Sequence, residues 1–297
     1  MSDDIAKLAA GIPVLAGFTG QAERLGGLTN RVYRLGHHIL RVPGEGTAAY
    51  INRAHEAEAA HEAARVGVSP AVLHADPATG LMVTQFIDHA ATMSPAVFRS
   101  RPGAVARAAR VLRQIHRSDA RFPVRFDLFA MVDDYLRILS TRAVALPTGY
   151  QDFAPHVATL RATLATPVPL VASHCDPLCE NFLDTGDRMW LVDWEYSGMN
   201  DPMWDLGDLS VEAEFDPVQD QTLLTAYFDG PPPAADHGRM VIYKAMCDYL
   251  WTLWGLIQLA NQNPADDFRA YADGRFARCK ALFESDAFAA HVAAASG

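Results

Sequence analysis

The stretch from His174 to Asp193 constrains the fold more than any other part of the chain. A polar loop, His174-Cys175-Asp176-Pro177-Leu178-Cys179-Glu180-Asn181, runs directly into the segment Phe182 to Val192, whose apolar ends flank a Thr185-Gly186-Asp187 centre. Such a centre between apolar runs predicts a β-hairpin. Asn181 and Asp193 stand at its two ends, and the midpoint between them falls at residue 187 in the turn. Strand pairing is therefore expected to bring an amide and a carboxylate together. Two oxygen donors at one point suit Mg²⁺, which takes few protein ligands and leaves its other positions to water and phosphate oxygens. Zinc on His174, Cys175 and Cys179 is the weaker reading, because no second ligand pair stands at metal-site spacing elsewhere.

The rest of the chain divides into two kinds of pattern. Val32–Leu35 and His38–Val42 are short apolar runs separated by Gly36 and read as an antiparallel hairpin. Ala48–Val66 is rich in Ala and Glu, ends at Gly67 and reads as one long helix; Leu81–Ile87 reads as a further strand. After Asp88, helical spacing dominates: Pro102–Ser118, Phe126–Ala145, Pro155–Ala165, Val218–Phe228 and Arg239–Ala260. The expected class is α+β, with a small antiparallel-sheet unit over 1–87 and a larger, mainly helical unit over 88–297.

Composition narrows the partners. Lys and Arg number 25 against 35 Asp and Glu, a formal charge of −10. An acidic chain offers no basic face for a nucleic-acid backbone and suits a neutral or cationic small molecule. The most apolar run, Tyr249–Ala260, is interrupted by Thr252, Gly255 and Gln258 and falls short of the ~18 apolar residues of a membrane span. Acids at Asp3 and Asp4 stand where a secretory signal carries basic residues, and four cysteines are too few for a disulfide scaffold, so a cytoplasmic protein is expected. A homo-oligomer stays open.

The loop also has the H-x-D-x-x-x-x-N spacing of a phosphotransfer catalytic loop, in which the Asp accepts the proton of the acceptor hydroxyl and the Asn holds metal. Upstream, Gly26-Gly27-Leu28-Thr29-Asn30 precedes the first hairpin, where glycines let backbone N–H groups approach phosphates. Arg41 on the next strand and Glu56 on the following helix stand in the order of the kinase strand lysine and its helix glutamate. With Leu191-Val192-Asp193-Trp194-Glu195-Tyr196-Ser197 and Trp204-Asp205-Leu206-Gly207-Asp208, these motifs resemble the choline/ethanolamine kinase family. That family is part of the aminoglycoside phosphotransferase-like branch of the protein-kinase-like fold, and the likeness runs from about Gly26 to about Phe276.

The resemblance implies a two-lobed kinase-like fold using ATP and Mg²⁺, with an arginine commonly replacing the strand lysine. It implies Asp176, assisted by His174, at the chemistry, and metal on Asn181 and Asp193. Nucleotide contacts would come from Gly26, Gly27, Thr29, Asn30, Arg41 and Glu56, and from a hinge that includes Gln85 and Ile87. Trp251 and Trp254, three positions apart, share one helix face. The tail through Tyr271 resembles the segment that builds an aromatic cage in choline kinases, and aromatic faces attract quaternary ammonium. Tyr196, Glu195 and Glu212 would join at the cationic end of the substrate. The implied reaction is phosphorylation of choline, with ethanolamine as a lesser acceptor. A kinase for thiamine, an aminoglycoside or a sugar, or a non-catalytic nucleotide or cation sensor, are the alternatives.

Overall fold

The computed structural model describes residues 3–26, 30–44, 47 and 51–297. They form two compact units, one of residues 1–125 with 171–199 and one of 126–170 with 200–297. This division does not follow the boundary expected after residue 87. Elements C-terminal to that point pack in the first unit: the helix Ala104–His116 lies against the strands Val171–Ser173 and Met189–Leu191.

The first unit opens with α1 (Asp3–Ala10), followed by a five-stranded sheet in the order β1-β2-β3-β5-β4: β1 (Glu23–Gly26), β2 (Arg31–Leu35), β3 (His38–Val42), β4 (Val72–Asp76) and β5 (Leu81–Gln85). Its paired strands all run antiparallel. The β2–β3 hairpin forms as expected, with Leu35 opposite His38 and a positive φ of 62° at Gly36, a backbone conformation glycine adopts without steric cost. One sheet face is covered by Ile5, Ala9, Ile12 and Leu15, which pack with Leu35, Leu40, Val42 and Val83. Those strand residues flank Arg41, so the N-terminal segment backs the strand that carries it.

Helix α2 covers Arg53–Arg65, a shorter element than the Ala48–Val66 expectation. Asn52 is extended, and its side-chain oxygen accepts from the N–H groups of Ala54 and His55 at 3.0 and 3.2 Å. That cap starts the helix there, and residues 48–50 lie outside the described set. The unit continues with β6 (Ala91–Thr92), α3 (Pro95–Ser100), α4 (Ala104–His116), β7 (Val171–Ser173), β8 (Phe182–Asp184), β9 (Met189–Leu191) and β10 (Gly198–Asn200). Strands β6, β8 and β9 form a small sheet. Asp184, fully buried on β8, accepts from Arg107 Nε and Nη2 at 2.8 and 2.6 Å and from Arg101 Nε at 2.5 Å. Two guanidiniums on the α3–α4 segment thus pin the expected hairpin in place.

The second unit is helical: α5 (Leu128–Leu139), α6 (Ala154–Leu164), α7 (Pro202–Glu212), α8 (Pro217–Phe228), α9 (Ala234–Ala260), α10 (Phe268–Phe283) and α11 (Phe288–Ser296). Helix α9 is its axis, packed by α5, α7, α10 and α11. Gly207 permits the close α7 contact, since a Cβ there would come 2.8 Å from the Met240 carbonyl oxygen. Among the described residues no helix is long and apolar enough to cross a membrane.

Candidate active site

A cavity of about 340 Å³ lies in the first unit. Leu25, Val32, Ile39, Met82, Leu183 and Val192 make its apolar walls, Gln85, Phe86 and Ile87 line its rim, and Arg41, Glu56, Asn181 and Asp193 supply its charged and polar groups. An apolar slot with a charged end can hold a flat heterocycle carrying phosphates.

Strand β3 delivers Arg41 to the charged end. Its Nη1 pairs closely with Glu56 Oε1 of α2 and lies 3.0 Å from Asp193 Oδ1 and 3.9 Å from Glu195 Oε2. The pairing expected from the order of Arg41 and Glu56 is therefore formed. Burial works against the Arg41 charge, but Asp193, Glu56 and Glu195 outweigh it and raise its pKa, so the side chain is a permanent cation. Its Nε and Nη2 are buried without a hydrogen-bond partner, which suits a group held ready for an anion. Arg53, one helical turn before Glu56, donates to Glu56 Oε2 at 2.8 Å and Glu195 Oε2 at 3.2 Å. Asn30 donates to the same Glu195 oxygen at 3.1 Å.

The same network gathers Glu195. The resemblance grouped it with the cationic end of the substrate; in the structure Arg53 and Asn30 hold it beside Arg41, Glu56 and Asp193. Burial, then the Asp193 charge, push its pKa up to about 7. Asp193 is also raised, by burial, with Arg41 opposing. Gly26 closes β1 opposite Val32, while Gly27 and Thr29 lie outside the described residues.

The hairpin register departs from the expectation by one residue. Phe182 pairs with Leu191, which sets Asn181 opposite Val192, and the Val192 N–H donates to the Asn181 carbonyl at 3.0 Å. Asp193 reaches the same cavity another way: its φ of 67° is left-handed, a conformation that costs a non-glycine residue roughly 1–3 kcal/mol and turns the chain at the strand end. The Asn181 amide donates to the Asp176 carbonyl at 3.0 Å and so fixes the loop on which the half-buried Asp176 sits. Cys175 just before it is left-handed as well, with φ 67°.

His174 is fully buried, its Nε2 2.9 Å from the Val192 carbonyl oxygen and its ring 4.7 Å from that of Trp194. Its backbone oxygen accepts from the Ser197 hydroxyl at 3.2 Å. These contacts tie the segment before Asp176 to the strand end beyond the hairpin.

In the second unit, α9 and α10 bring the expected aromatics together. Trp254 makes edge contacts with Trp251 at 6.4 Å and with Tyr271 at 5.7 Å between centroids. Phe268 joins them, 5.6 Å from Trp254. Glu212 on α7 is half-buried and paired with Arg275, Nη1 to Oε1 at 2.5 Å. Tyr196 is half-buried and belongs to the first unit.

The phosphotransferase enzyme family model matches residues 21–243. A solved structure of a choline/ethanolamine kinase family protein from Mesorhizobium loti is 63% identical, covers 99% of this chain and 98% of its own, and superimposes with a TM-score of 0.94. The chain belongs to the choline/ethanolamine kinase family. The choline kinase LicA from Streptococcus pneumoniae is 27% identical over 95% of this chain and 100% of its own, with a TM-score of 0.80. Protein LicA from Haemophilus influenzae is 25% identical over 259 residues, 84% of this chain and 75% of that protein. The antiparallel N-lobe sheet and helical C-lobe are the kinase-like fold, and membership makes this chain a phosphotransferase with an alcohol as acceptor.

In this family member, sequence reasoning missed Arg53, Phe268 and Arg275 as parts of the two clusters. Arg53 and Phe268 were within reach: each stands three positions before an assigned residue, Glu56 and Tyr271, on the same helix face.

Proposed function

We propose that the protein transfers the γ-phosphoryl group of ATP to the hydroxyl of choline, with ethanolamine as a lesser acceptor. The observation that carries this reading is the cluster of Trp251, Trp254, Phe268 and Tyr271 in a family whose acceptors are small alcohols. Each aromatic face attracts a quaternary ammonium by ~0.5–2 kcal/mol, and trimethylammonium, with no N–H, asks for no hydrogen-bond acceptor.

Each group then has a role. Asp176 accepts the hydroxyl proton as the oxygen attacks phosphorus. Arg41 places its partnerless N–H groups on the phosphates, and Glu56 and Arg53 hold it in position. Backbone groups of Gln85 and Ile87 receive the purine. Ligand oxygens of Glu56, Asp193 and Glu195 lie within 4.8 Å of one another, and Asn181 lines the same cavity. Such hard oxygen donors fit Mg²⁺, for which Asn181 and Asp193 would be the ligands. Bound there, the ion would offset the negative charge of the transferring phosphates. Positioning and charge compensation make up the catalysis.

The test is Mg²⁺-dependent ADP release with choline, ethanolamine, thiamine and an aminoglycoside in parallel. Strong release with choline supports the reading. Release with thiamine or the aminoglycoside alone would overturn it.

A further inference from the structure

We infer that Arg275 sets the acceptor preference by standing in for the substrate's cation at Glu212. This rests on the aromatic cluster being the acceptor pocket. Arg275 on α10 is 5% exposed, and its Nη1 lies 2.5 Å from Glu212 Oε1 and 3.2 Å from Asp248 Oδ1. The same guanidinium lies over the Tyr271 ring, 4.8 Å from its centroid. A single fixed cation thus pairs with Glu212 and lies over the face of an aromatic ring of the cluster, and all three line one cavity.

Burial disfavours the Arg275 charge, but Glu212 more than compensates, so the guanidinium stays protonated. The consequence concerns which ammonium can be desolvated there. A primary ammonium carries three N–H donors, and burying them costs free energy unless acceptors replace water. Glu212 would be such an acceptor, yet its Oε1 already pairs with Arg275, whose positive charge also opposes a second cation there. A trimethylammonium group carries no N–H donor and asks only for π faces and a negative field, not for a hydrogen-bond acceptor. The pair Glu212–Arg275 therefore penalises ethanolamine more than choline, and Arg275 also holds Tyr271 by stacking.

Choline and ethanolamine both carry one positive charge at neutral pH, so a change in the local field alone moves both alike. The ratio of their kcat/KM values isolates the proposed effect. Arg275→Met, which keeps the aliphatic stem, is expected to lower the choline-to-ethanolamine ratio by about tenfold, through a higher KM for choline and a lower one for ethanolamine. Adding Glu212→Gln to that variant removes the ethanolamine gain. Arg275→Lys, which retains charge but loses the planar fork, shifts the ratio the same way by less, and decides the matter if Arg275→Met does not fold.

A ratio unchanged within about twofold in the folded variants overturns the inference. So does a selective loss of ethanolamine turnover in Glu212→Gln alone, which would mean that Glu212 contacts the substrate directly. Wild-type enzyme that uses neither amino alcohol would instead remove the acceptor reading itself, whereas wild-type use of choline with an unchanged ratio removes only the role of Arg275.

Discussion

Replacing Arg41 by lysine separates charge from geometry at the nucleotide site. The guanidinium commits Nη1 to Glu56 and Asp193 and keeps Nε and Nη2 buried without partners. A lysine ammonium is one nitrogen, and Glu56, at 2% side-chain exposure, would capture it. What disappears is the fork aimed at the phosphates. A hydrogen bond to a charged group contributes ~1.5–3 kcal/mol, so losing one should raise the KM for ATP by roughly 10- to 100-fold. The KM for the acceptor should stay within about twofold. Stability should change little, because Glu56 keeps Arg53 at 2.8 Å and the cation survives in another form. Arg41→Met, by contrast, breaks a buried pair and should cost about 3–5 kcal/mol. Initial rates with ATP and acceptor varied independently, alongside ATP-induced thermal shifts, read both quantities. A folded Arg41→Lys enzyme with an unchanged KM for ATP would refute the assignment of the partnerless N–H groups to phosphate.

Four further outcomes follow from the same geometry. Asp176→Asn should lower kcat by about 10²–10⁴ with ATP binding retained, read by single-turnover kinetics and nucleotide titration; normal turnover would remove Asp176 as the base. Trp254→Leu should raise the KM for choline by about 2- to 30-fold, with KM for ATP unchanged, and equal effects on both substrates would argue for a packing role alone. Asp184→Asn weakens the hold of Arg101 and Arg107 on β8 and should cost about 3 kcal/mol, visible in denaturant unfolding; a change below about 0.5 kcal/mol would contradict the pinning role. Glu195 has its pKa raised from 4.5 to about 7, so the folded state holds that proton more tightly than the unfolded chain. The metal-free protein should therefore lose stability as pH rises through that window, and Glu195→Gln should flatten the melting-temperature profile between about pH 5 and 7.5. Identical profiles for the two proteins would contradict it.

What could be read from the chain was what depends on local spacing. The loop from His174 to Asn181, the hairpin after it and the order Arg41–Glu56 are all short-range or ordered patterns, and each has a counterpart in the fold. The one-residue register error had a physical source: alternation locates strands but carries no information about the left-handed turn at Asp193. Helix α2 was drawn too long because Ala and Glu continue its composition upstream of Asn52, although that asparagine is itself a start signal. The surroundings of Glu195 were out of reach for a different reason. Its partners Asn30 and Arg53 are 165 and 142 positions away, and only the folded chain brings them to one carboxylate. The pairing of Glu212 with Arg275, 63 positions away, was equally invisible, since α7 and α10 are separate in the chain and both pack on α9.

Phosphorus NMR of a reaction containing only enzyme, ATP, Mg²⁺ and choline observes directly whether a phosphoryl group passes from ATP to the choline hydroxyl. The account predicts a new phosphomonoester resonance coupled to the choline methylene protons, growing in step with ADP and absent with Asp176→Asn. ADP accompanied only by inorganic phosphate, or no consumption of ATP, would contradict it.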